Sequence, residues 1–156
     1  MKSFVYLFFL LIPASYLQAA EISVTMHALG QDGPTKSIGV IVVKETTQGL
    51  QFQPHLRNLE PGKYMFTVNE NVGCGSKYTE SGANVPGMAA GRSMNELPTI
   101  TVNADGIAEQ PITTSSLTLR DVRGRTLVIS SDPRPGFNIA DGNETRIACG
   151  SLELYR

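Results

Sequence analysis

Histidine is scarce in this chain. The 156 residues contain two, His27 and His55. They fall in separate early segments with no partner at ligand spacing, so each reads as a residue on a solvated strand face or strand end rather than a metal ligand. Cysteine is equally sparse, with Cys74 and Cys149 alone. They form no Cys-X-X-Cys pair, which excludes a dithiol redox motif. There is no basic run and no RNA-binding aromatic motif, and 13 basic residues face 14 acidic ones. Nucleic acid and charged membrane surfaces are therefore not expected partners. Helical periodicity is absent, as are a Ser/His/Asp triad, a phosphate loop and a convincing acid pair. Glu70, Glu80 and Glu96 read as surface carboxylates.

Long apolar runs are also missing, with one exception at the N-terminus. Lys2 supplies a short positive region, Phe4 to Ile12 is apolar and uncharged, and Leu17-Gln18-Ala19-Ala20 offers small residues for a peptidase. This is the pattern of a secretory signal over residues 1–20, too short and wrongly flanked for a membrane span. No cysteine follows the apolar run, which argues against a lipoprotein, and no further basic or apolar segment supports a retained anchor. Residues 21–156 then form one domain, large enough to bury a core without metal. In a secreted chain an even cysteine count suggests a disulfide, here closing a long loop and stabilising by roughly 4 kcal/mol on the chain-entropy model. Two free thiols are the alternative.

What the chain has in quantity is short alternation. Glu21 to Ala28, Ile38 to Lys44, Leu50 to Leu56, Gly62 to Asn69, Leu97 to Val102, Ile107 to Ile112, Arg125 to Ser130 and Arg146 to Leu154 read as strands, separated by Gly, Pro, Asn and Asp. Ile107 to Ile112 is expected to pair with Leu97 to Val102 across the turn Ala104-Asp105-Gly106. Pro54 implies an edge or a bulge. Thr113 to Val122 is a connection with room for a short helical turn. The count predicts an all-β, eight-stranded sandwich or barrel. Two connections, Gly73 to Glu96 and Ser131 to Thr145, exceed the ordinary length. In the strand Gly62 to Asn69, Thr67 and Asn69 project from one face, two residues apart.

The order of several motifs then resembles a known family, the bacterial periplasmic copper/zinc superoxide dismutases. Gly49-Leu50-Gln51-Phe52-Gln53-Pro54-His55-Leu56 resembles an early strand, and Leu59-Glu60-Pro61-Gly62 with Val68-Asn69-Glu70-Asn71 and Cys74 resembles the copper strand. Gly87-Met88-Ala89-Ala90-Gly91 resembles the stretch entering the zinc loop, and Arg146-Ile147-Ala148-Cys149-Gly150 the family's arginine and second disulfide cysteine. The resemblance implies a Greek-key fold with one disulfide, Cys74 to Cys149. It also implies periplasmic location.

The departures from the family pattern lie at the chemistry. The copper histidines of that strand align with Thr67 and Asn69, the bridging histidine with Arg92 or Ser93, and the last copper histidine with Ser130. The zinc loop shrinks to a few residues between Gly91 and Leu97. The resemblance thus implies lost ligand positions at Thr67, Asn69 and Ser130, no cofactor, and a catalytically inactive protein kept as a binding or structural module. A hydroxyl and an amide are poor substitutes for imidazole on copper. One alternative is residual copper chemistry. For that, Met26 and Met65 suit core or sheet positions, while Met88 and Met94 fall in the residual loop and offer thioethers. Another is a recognition loop for a protein partner, with Lys77, Tyr78 and Arg92 as its anchors. Arg146 is expected to hold carbonyls near Gly73, with binding of a small anion as its alternative. A homodimer is left open. Asn143-Glu144-Thr145 matches a glycosylation pattern by coincidence.

Overall fold

A computed structural model describes residues 20–78, 82, 84–131 and 145–153. The expected secretory segment apart from Ala20, together with Glu80, Asn143, Glu144 and Leu154, lies outside the described residues. Eight antiparallel strands form one nearly closed barrel: β1 (Glu21–Gly30), β2 (Gly33–Thr46), β3 (Gly49–Leu56), β4 (Gly62–Asn69), β7 (Ser93–Val102), β8 (Ile112–Thr114), β9 (Thr126–Ser131) and β10 (Arg146–Ser151). Their spatial order is β7-β4-β9-β10-β1-β2-β3-β8. The pair β5 (Lys77–Tyr78) and β6 (Asn84–Val85) forms a separate small hairpin. The first three strands make a meander, and the chain then crosses to β4, separated from β3 by four strands in the sheet, as a Greek key requires.

Alternation puts one face of each strand inside. Val24 and Met26 of β1, Ile41 and Val43 of β2, Leu50, Phe52 and Leu56 of β3, and Leu127 and Ile129 of β9 share one core with Phe66 and Val68 of β4. Phe52 and Phe66 meet edge to face across the interior, with ring centroids 5.4 Å apart. Two strands break the usual pattern of an antiparallel sheet with one wet face. Met65 to Asn69 in β4 and Thr126 to Ser130 in β9 are buried on both faces.

Three expectations need correction. Ile107 to Ile112 does not pair with β7. Asn103 Oδ1 accepts the Asp105 and Ile107 amides, 3.0 Å each, which closes the turn. The chain then crosses to the other edge, where Ala108 bridges Leu56 and only Ile112 enters β8, opposite Phe52. Pro111, with no amide to donate, precedes that strand. The final strand ends at Ser151, short of the expected Leu154. The first hairpin runs further than expected, to the pair Gly30–Gly33, because a bulge at His27 lets the strands stay in register beyond Ala28.

Pro54 occupies the kind of place its chemistry demands. Leu56 exchanges both backbone bonds with Ala108 on the β8 side, so Pro54, two residues earlier, also turns its nitrogen to that side. The β3–β8 ladder has already ended at Phe52, and Gln53 Nε2 reaches across to the Glu109 carbonyl at 2.7 Å. The connection after β8 holds one helical turn, α1 (Leu119–Val122). The amide and hydroxyl of Thr118 both donate to Asp121 Oδ2, at 2.9 and 2.7 Å. These bonds hold the Asp121 carboxyl below the usual aspartate range, the hydroxyl contributing most.

Two outcomes follow for the scaffold. Phe66→Ala removes half of the interior aromatic pair and lowers stability in urea unfolding by about 3–5 kcal/mol. In an NMR titration Asp121 protonates below an ordinary aspartate, and Thr118→Ala moves that midpoint up. Because the folded value is depressed, the stabilisation from Asp121 is present above the unfolded value and disappears as pH falls through the folded one.

Candidate functional site

The outward faces of β4 and β9 lie side by side, with Met65 opposite Ser130, Thr67 opposite Val128 and Asn69 opposite Thr126. All four buried polar side chains among the described residues, Thr67, Asn69, Thr126 and Ser130, belong to this face. Burying polar groups is costly unless they are hydrogen-bonded. Thr67 Oγ1 donates to Asn69 Oδ1 at 2.8 Å, and Asn69 Nδ2 donates to the Gly91 carbonyl at 2.9 Å. Thr126 Oγ1 donates to the Asn71 carbonyl at 2.7 Å and accepts the Gly73 amide at 3.1 Å. Ser130 Oγ has no partner among the described residues. At the start of β4, the Tyr64 hydroxyl donates to the Glu60 carbonyl at 2.7 Å. Burial and then the Glu60 charge push this phenol above its ordinary value.

The cover over this face is two stretches of backbone tied to each other. Glu70 N–H donates to the Arg92 carbonyl, Asn71 N–H to that of Ala90, and Ala89 N–H to that of Gly75. Met88–Ala90 forms a single 3-10 turn between Gly87 and Gly91. Both glycines have positive φ, 70° and 77°. A Cβ at Gly91 would lie 2.5 Å from Asn71 Nδ2 and 2.7 Å from Glu70 Cγ, so only glycine fits there. Arg146 grips both ends of this turn, Nη1 on the Gly87 carbonyl at 2.8 Å and Nη2 on the Gly91 carbonyl at 3.0 Å. The disulfide Cys74–Cys149, with Cα atoms 5.8 Å apart, fastens the cover to β10. Ala90, Val128 and Cys149 form a small apolar cluster beneath it, with Leu29 and Cys74 packed alongside.

The expected site residues separate into two groups. Thr67, Asn69 and Ser130 share one buried face, and Arg146 reaches the same loop from β10, opposite Ser130. Among the described residues, Arg146 donates to the carbonyls of Gly87 and Gly91, where the Gly73 region was expected. That region is served by Thr126 and by Arg125, whose Nη1 donates to the Glu70 carbonyl at 2.6 Å. Sequence reading missed both residues. The only signal was a hydroxyl and a cation at the head of an apolar strand. Lys77 and Tyr78 lie in β5 and Arg92 lies exposed beside β7, so they belong to different elements. His27 and His55 stand on strands separated by β2. Met88 and Met94 are exposed, on the 3-10 turn and β7.

Among the described residues, no three His, Cys, Asp or Glu side chains come together as a metal site. The donor set on the β4–β9 face does not suit copper or zinc. It consists of hydroxyls, one amide and the Met65 thioether, with no imidazole, and that amide's oxygen is already an acceptor while its nitrogen is spent on Gly91. What this arrangement can do is hold a loop; it offers no redox group.

A family model for copper/zinc superoxide dismutase matches residues 37–152. Superoxide dismutase [Cu-Zn] 2 of Salmonella typhimurium is 32% identical, over 92% of this chain and 94% of its own length. Among solved structures, the Cu/Zn superoxide dismutase from Brucella abortus superposes with a TM-score of 0.79 at 28% identity, covering 86% of this chain and all of that one. The monomeric copper, zinc enzyme from Salmonella enterica, known in solution, gives 0.75 at 31% identity, covering 85% of this chain and 99% of that one. With its barrel, its disulfide and this match across most of its length, the chain belongs to the copper/zinc superoxide dismutase family.

Proposed function

We propose that this protein is a secreted, periplasmic, metal-free member of its family, without dismutase activity, retained as a binding or structural module. One observation carries the reading. The face where the resemblance places copper ligands presents Thr67, Asn69 and Ser130, and the first two bond to each other and to Gly91. Dismutation in this fold needs copper held by imidazoles with a position open to substrate. A shared scaffold does not supply that chemistry by itself. The secretory pattern of residues 1–20 and the two paired cysteines support export. The mature domain is then 21–156. Arg146 serves as a structural clamp, with two of its donors on carbonyls. Lys77, Tyr78 and Arg92 are the candidate contacts for a protein partner, on loops carried by a rigid barrel.

Metal content and superoxide turnover of protein purified from the periplasm, before and after loading with copper and zinc, decide this reading. Sub-stoichiometric metal and no metal-dependent turnover are expected. Stoichiometric copper with turnover would refute it. Asn69→Ala leaves the Thr67 hydroxyl without its acceptor and frees the Gly91 end of the loop, so stability falls by about 1–3 kcal/mol in urea unfolding. That loss is the same with and without added copper and zinc.

A further inference from the structure

The four methionines among the described residues divide by exposure. Met26 faces the barrel core and is fully buried, and Met65, on the outward face of β4, is 3% exposed. Met88, on the 3-10 turn, is 38% exposed, and Met94, on β7, 49%. The sulfur sits near the tip of a flexible side chain, so exposure on this scale brings it within reach of small solutes and burial on that scale removes it. Competing groups are few. Both cysteines are tied in the disulfide, and the chain has no tryptophan. Thioethers are then the most readily oxidised side chains that the protein offers to solvent.

We propose that Met88 and Met94 are a pair of oxidation sites that take small peroxides as substrate. A sulfur lone pair attacks one peroxide oxygen, the O–O bond breaks, and the second oxygen leaves with the electron pair and both protons as water. The sulfur is oxidised by two electrons to the sulfoxide, and the peroxide is reduced by the same two. Each event turns an apolar tip into a polar one. In a core position such a change disrupts packing, but here both side chains face water. The bonds that fix the covering loop run from Asn69, Thr126, Arg125 and Arg146 to backbone carbonyls, and none of these is made by a thioether. The loop therefore stays in place, and the folded protein takes up two oxygen atoms and keeps its fold. This needs only the exposure of the two side chains and holds whether or not the protein binds metal.

The test exposes the folded protein to hydrogen peroxide with a metal chelator present, samples over time and maps sulfoxides by peptide mass spectrometry. Met88 and Met94 are expected to oxidise at least about tenfold faster than Met26 and Met65, whereas all four react at similar rates in the urea-unfolded chain. The doubly oxidised protein is expected to keep the urea midpoint of the untreated one. Three results would each overturn the proposal: Met26 or Met65 reacting as fast in the folded protein, no reaction at Met88 and Met94 under conditions that oxidise the unfolded chain, or loss of the fold once those two are modified. Met88→Leu and Met94→Leu give an independent reading, each taking up one oxygen atom fewer than the wild type. Unchanged uptake in either variant would overturn it as well.

Discussion

The Gly91 carbonyl is where the outer face of the barrel meets the chain that covers it. A carbonyl oxygen has two lone pairs, and here one takes the Asn69 amide from β4 and the other the Arg146 guanidinium from β10. Two strands separated by β9 thus converge on one atom of the loop. The glycine is needed because its backbone is left-handed and a side chain would strike Glu70 and Asn71. Much of the site follows from this contact. The loop lies flat on β4 and β9, and their outward residues are sealed from water. Polar side chains there must then find partners within the protein.

The molecule therefore has two interiors of different character. The barrel interior is apolar, large and continuous from β1 to β10, and its stability rests on burial and close packing. The outer one is a thin layer whose apolar part is a cluster of three buried residues, with Met65 further along the same face. Such a cluster removes too little apolar surface from water to fix a loop by itself. Directional bonds and a covalent tie do that instead, through Thr126, Asn69, Arg125, Arg146 and the disulfide. In a family named for copper and zinc, this layer is held by groups that face each other and the backbone. Ser130 is the one member of the layer left without a partner among the described residues.

Much of the barrel was legible because strand periodicity is a local property. Phe66 and Val68 turn inward and Thr67 and Asn69 outward for the same reason that residues two apart share a face anywhere in a strand. The turn at Ala104-Asp105-Gly106 was equally plain, but the partner of the segment after it was not. Alternation shows that Ile107 to Ile112 has an inner face, and Ala108 and Ile112 are indeed buried. It does not say whether the neighbour is β7 or β3. The Asn103 side chain closes the turn so that the chain leaves β7 and crosses the barrel opening. Arg146 was identified as a carbonyl holder, yet its targets lay some 55 residues away in the chain, at Gly91, and no local pattern encodes such a distance.

The sequence by itself determined the fold class, the faces of most strands, the family and the identity of the side chains at 67, 69 and 130, since these depend on residue type and spacing. Only the tertiary structure decided what those side chains do. Whether Thr67 and Asn69 point at water, at an ion or at each other depends on which backbone is laid over β4, and that backbone comes from residues 87–92. The same holds for Thr126, which looks like part of an apolar strand until the turn at Asn71 to Gly73 closes over it. It holds too for the cysteines, whose pairing could be anticipated but whose unequal burial arises from the strands and loop packed around Cys149. Hydrogen bonds and exposure are properties of neighbours in space, and the fold chooses those neighbours.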